Sequence, residues 1–115
     1  MKTAFHGLGQ CLATFETAAT AADRGKVCKM AGGGKAAVAA TAGEGFCGVI
    51  SDVRGGAAAV QLRGYVEVAY TGTAPSCGWA ILVADGAGGV KTAEEGHEFL
   101  VVNVDSTAGT VGLWL

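Results

Sequence analysis

The chain is short of charge, aromatic rings, proline and histidine. Of its 115 residues, 16% are charged and 7% aromatic, with a single Pro and two His. Charge at that level lies below the ~25% usual for a soluble domain, so some of the surface is expected to be hidden against a partner. No run of Lys or Arg occurs and the formal net charge is −2. That excludes a nucleic-acid groove, which needs clustered positive charge, and argues equally against an anionic membrane surface. No apolar run approaches the ~18 residues of a spanning helix. The opening MKTAFHGLGQCLATFETAATAA has Lys2 and an Ala-rich end, as secretion leaders do, but His6, Gly7, Gly9, Gln10 and Glu16 interrupt its apolar region. Gln10 also stands where a lipoprotein cleavage site needs a small residue, so no leader is expected.

Reactive constellations are missing as well. The four cysteines, Cys11, Cys28, Cys47 and Cys77, form no C-x-x-C pair, which removes zinc-ribbon and thioredoxin-type motifs. They read as free, mostly buried thiols. AGGGKAA (31–37) fails the phosphate-loop pattern at both ends, with Lys29 and Ala36 where Gly and Ser or Thr are required; it reads as a hairpin turn. GAGGVK (86–91) fails the dinucleotide fingerprint at Lys91. Ser76 in TAPSCG lacks the first glycine of a nucleophile elbow. His97 reads as a solvated strand entry and His6 as a contact residue. Asp52, Asp85 and Asp105 each open a turn, where a carboxylate satisfies backbone donors; no turn offers the alternating oxygens of a calcium loop. No catalytic residue, cofactor or metal site is expected, and the chain reads as a non-enzyme.

What the chain has is glycine, 20 of them, and alternation. In AAAVQLRGYVEVAY (57–70), Val60, Leu62, Gly64, Val66, Val68 and Tyr70 share one phase, and Gln61, Arg63, Tyr65, Glu67 and Ala69 the other. The unbroken phase predicts one long strand bending at Gly64, as glycine does at barrel corners. LATFETAAT suggests a first strand over 12–18, with a helix over 10–22 as the competing reading, because Ala, Leu and Glu favour helix while Thr and Phe favour strand. From residue 25 strand-like segments alternate with glycine turns: 26–30 and 35–42, 45–51 and 57–70, 79–84 and 90–93, 97–105 and 110–115. The expectation is an all-β single domain, a small β-barrel or sandwich, with residues 1–24 as N-terminal arm and first strand and residues 25–115 as the barrel domain. Trp79 and Trp114 are expected to plug the core, an exposed aromatic platform being the alternative. Arg54, at the tip of the RGG turn, is a candidate polar anchor.

The succession FCGVI, RGGAAAVQLRGYVEV, WAILVADGAGGVK and VDSTAGTVGLWL resembles the head decoration, or capsid cement, proteins of tailed bacteriophages; the likeness covers about residues 12–115. No one motif carries it; order and spacing do. The resemblance implies a β-barrel on the outer face of the capsid in the virion, made and assembled in the bacterial host cytoplasm. Its partners would be the major capsid protein and other copies of itself, a trimer being the natural guess, with no nucleic acid and no membrane. It would stabilise the head by bridging capsid subunits, where symmetry multiplies modest contacts. The N-terminal arm would extend that contact through Phe5, His6, Leu8, Leu12 and Phe15. The alternative is a carbohydrate- or host-surface-binding module displayed on a virion, with Trp79, Tyr65 and Tyr70 as its platform.

Overall fold

The computed structural model describes residues 10–115. The described chain is all-β. It runs β1 (Cys11–Thr17), a short 3-10 turn (Ala21–Asp23), β2 (Val27–Gly32), β3 (Lys35–Val38), β4 (Gly48–Arg54), β5 (Ala57–Arg63), β6 (Tyr65–Ala69), β7 (Gly78–Ala84), β8 (Val90–Thr92), β9 (Glu98–Asp105) and β10 (Thr110–Trp114). The alternative of a helix over 10–22 is overturned: β1 is a strand, pairing along β5 from Cys11–Arg63 to Glu16–Ala57.

The barrel-or-sandwich choice resolves into a barrel plus a sheet. β1, β3, β2, β4 and β5 close into a five-stranded barrel, and β6, β10, β9, β7 and β8 form a second sheet in that order. β1 closes the ring by lying parallel to β3 and antiparallel to β5. The glycine-rich stretches expected as turns are turns. β2 and β3 pair up to Gly32 and Lys35, and β4 and β5 up to Arg54 and Ala57 across Gly55-Gly56.

Strand alternation sorts the barrel's apolar residues into two cores. Cys28, Ala36, Ile50, Val53, Ala58 and Val60 fill the interior, with Phe15, Val38 and Leu62 packed against them. Val27, Ala39 and Val49 face the other way and join a second core with Val66, Val68, Leu82, Val90, Phe99, Val101, Val111 and Leu113. The second sheet is thereby packed onto the flank of the barrel. Backbone bonds tie the two together at Val27 N–H to Gly88 C=O (2.9 Å) and at Ala84 N–H to Glu44 C=O (2.8 Å).

Residues 57–70 are not one strand serving one barrel. β5 belongs to the barrel and β6 to the second sheet, and the chain changes sheet at Gly64. Gly64 has φ +101°, and a Cβ there would lie 2.9 Å from the Cα of Gln10 and 3.2 Å from Nε2 of Gln61. Both the conformation and the space call for glycine. Gln61 shares the polar phase yet is 7% exposed. Its amide braces the corner, donating to the carbonyls of Arg63 (3.1 Å) and Tyr65 (3.0 Å) and accepting from Nε2 of Gln10 (3.0 Å). Leu115 N–H donates to the Gly64 carbonyl at 2.9 Å.

Candidate interaction surface

The second sheet buries one face and opens the other. On β9, Phe99 and Val101 are buried while Leu100, between them, is 37% exposed. Leu100 pairs with Trp79 on β7 and with Trp114 on β10, and Trp114 pairs with Tyr65 on β6. Paired residues share a face, so Tyr65, Trp114, Leu100 and Trp79 form one row across four strands. At ~4.8 Å per strand the row is about 14 Å long. Exposure climbs along it, from 8% at Tyr65 to 71% at Trp79. Ile81, paired with Glu98, continues the apolar surface on β7.

The buried end of the row is seated by glycine. Gly112 lies between Val111 and Leu113 on β10, and a Cβ on it would collide with the ring and hydroxyl of Tyr65. The ring thus occupies the space a side chain at Gly112 would need. Burial, and then the charge of Glu67, raise the Tyr65 phenol above its ordinary value. The expectation that Trp79 plugs the core is overturned. β7 turns Leu82 and Ala84 inward and leaves Trp79 outside. Nor do Trp79, Tyr65 and Tyr70 form the expected three-ring platform, since Tyr65 is buried and Tyr70 packs against the second core.

The barrel's outer face is different in kind. Thr14, Asp52, Arg54, Ala57 and Ala59 surround a shallow depression of about 170 Å³. Asp52 pairs with Nη2 of Arg24 at 2.6 Å and Nε of Arg54 at 3.0 Å. Burial alone would raise the Asp52 carboxyl, but the Val53 N–H and the two guanidinium groups outweigh it and hold it below the ordinary carboxylate value. Two further carboxylates are lowered. Asp23 accepts from the Thr20 N–H and pairs with Lys26; Glu44 pairs with Lys29 and accepts from the Thr41 N–H.

The sequence-derived contact residues scatter over these surfaces. Leu12, 49% exposed, stands on the outside of β1, whereas Phe15 is half-buried against the barrel interior. Arg54 is exposed at the end of β4, held by Asp52. Phe5, His6 and Leu8 lie outside the described residues. Asp85 and Asp105 do satisfy turn donors, at Ala87 and Gly89 and at Thr107 and Ala108. Asp52 instead sits within β4 and serves the arginines. The exposed His97 ring lies edge-on to Phe99, centroids 4.8 Å apart.

A depression of about 400 Å³ is lined by Glu16, Thr17, Lys35 and small residues including Ala31 and Ala36. Among the described residues, no group of three or more His, Cys, Asp or Glu is placed to hold a metal ion. No helix among them is long and apolar enough to cross a membrane. The cysteines are free, but only Cys28 is buried; Cys11, Cys47 and Cys77 are exposed, against the expectation of mostly buried thiols. Compared with protein-family models and with curated proteins, the chain matches none.

Proposed function

We propose that this protein is a structural component of a phage virion that binds the outer surface of the capsid and stabilises the head by bridging major capsid proteins. The observation that carries the reading is the row ending in Trp79. A two-core β body presents a large aromatic ring, backed by Leu100 and Trp114, on the open face of its second sheet. Such anchors dominate protein–protein binding where they enter a partner's pocket. The resemblance of residues 12–115 to capsid decoration proteins names the partner class. Binding at symmetry-related lattice sites asks only for a rigid body and a complementary patch. Self-association into a trimer, attachment through residues 1–10 and a location on the outside of the virion belong to the same proposal.

The test is to mix the purified protein with undecorated heads, sediment them and image the pellet by cryo-electron microscopy. Regular density on the outer lattice, with heads surviving heat better, is the expected result. No co-sedimentation at saturating protein would overturn the reading. The exposed Trp79 also favours a second one, a carbohydrate-binding module that stacks a sugar ring on the indole. A glycan array with Trp79-dependent hits and no head binding would select it.

A further inference from the structure

Cys28 and Cys47 meet where β2 and β4 run side by side. Cys28 is fully buried in the barrel interior, while Cys47, immediately before β4, is exposed. Cys28 pairs with Gly48, and the Cys47 N–H donates to the Cys28 carbonyl at 2.9 Å. A backbone bond of that kind holds two Cα atoms within the ~4.4–6.8 Å that a disulfide spans. The two thiols are near enough to influence each other's protonation. Cys47 lines a cavity of about 300 Å³ together with Phe46, Leu62, Arg63, His97 and Phe99, so its sulfur is approached past a guanidinium and an imidazole.

We propose that Cys47 and Cys28 form a redox modification site that reacts with anionic low-molecular-weight disulfides of the glutathione class. The Cys47 thiolate attacks one sulfur of the reagent, forming a mixed disulfide and expelling one thiolate. Cys28 then gives up its proton to that thiolate or to water and attacks the Cys47 sulfur, expelling the second. Two protein thiols are oxidised to one Cys28–Cys47 disulfide, and one reagent disulfide is reduced to two thiols. The division of roles follows from the surroundings. The neighbouring Cys28 thiol brings the Cys47 thiol down to about 7, whereas the Cys47 sulfur, burial and the charge on Cys47 push Cys28 well up. Capping Cys47 removes the charge that keeps the proton on Cys28, so the first step prepares the second. The product would staple the segment between residues 28 and 47 across the barrel wall.

The full chain is incubated with oxidised glutathione at neutral pH and analysed by intact mass and peptide mapping. The expected result is loss of two hydrogens, a linked peptide pair holding Cys28 and Cys47, and a Tm raised by roughly 5 °C. Cys47→Ser abolishes the link, and Cys28→Ala leaves glutathione trapped on Cys47. Glutathione accumulating on Cys11 or Cys77 while Cys28 and Cys47 stay reduced would overturn the proposal, as would a stable Cys47 mixed disulfide in the unmutated chain. Because Cys28→Ala disturbs a packed interior, the iodoacetamide alkylation of Cys47 in the unmutated chain gives a separate reading. Half-maximal rate near pH 7 supports the site; half-maximal rate at about 8.5, the value of an ordinary thiol, overturns it.

Discussion

In the barrel the inward positions are taken mostly by small side chains, Cys28, Ala36, Ala58 and Val60 beside Ile50 and Val53, and the outside carries Thr14, Ala57, Ala59 and the Arg24–Asp52–Arg54 cluster. In the second sheet the inward positions take Leu82, Phe99 and Leu113, and the outside carries Tyr65, Trp114, Leu100 and Trp79. A five-stranded barrel has a narrow lumen, which leaves little room for an indole. An open sheet has no such limit, and its uncovered face can hold rings side by side. Closure therefore limits the barrel interior to small and aliphatic groups with little room for a large ring, and the indole rings collect on the element that does not close.

That comparison can be broken most forcefully through the two interiors. Ile50→Ala in the barrel and Leu113→Ala under the sheet should each cost about 2–5 kcal/mol, read by urea unfolding. Because Val27, Ala39 and Val49 knit the cores together, each should move one common transition. Two separated transitions would show that barrel and sheet are independent. Gly64→Ala, at the corner between them, should cost about 3 kcal/mol through its left-handed φ and its clash with Gln10; an unchanged urea midpoint would contradict that account. Trp79→Ala should leave stability within about 0.5 kcal/mol while weakening head binding by about 2 kcal/mol, near thirtyfold, in a sedimentation titration. Unchanged binding would move the contact elsewhere.

The smallest effect belongs to the barrel's charged exterior. Asp52, Asp23 and Glu44 have folded-state carboxyls held below their ordinary values of 3.8, 3.8 and 4.5. Their stabilisation is present above those values and lost as pH falls through the lowered ones. Asp52→Asn should therefore lower the neutral-pH midpoint slightly and flatten the decline on the acid side by the same amount, in urea titrations from pH 6 to pH 2. A steeper acid decline in the variant would reverse the assignment.

Strand positions were legible because alternation and glycine turns are local. What alternation does not carry is a partner. Val60, Leu62, Val66 and Val68 keep one phase through Gly64, yet a positive φ there sends the two halves into different sheets. WAILVA is apolar in both phases, so nothing along the chain says that Trp79 rather than Leu82 faces out; the pairing with Leu100 does. Gln61 sits in the polar phase and is nonetheless buried, because Gln10 and the corner carbonyls satisfy its amide. Cys28 and Cys47 lie far apart in sequence and fit no spacing motif, and only the β2–β4 register makes them neighbours. The resemblance to decoration proteins suggested what the molecule would bind, but it offered no reason to favour Trp79 over Leu12, Phe15 or Arg54.

The strand that closes the barrel is also the first described strand to be synthesised. β1 has to wait for β3 and then β5 before both of its edges are paired, and contacts of such long sequence separation slow folding. Its removal would be worse than its delay. Deletion of residues up to Thr17 would uncover the edges of β3 and β5 together, and an uncovered edge is a template for strands from other chains. Loss of that one short strand would thus leave the barrel open along two edges at once.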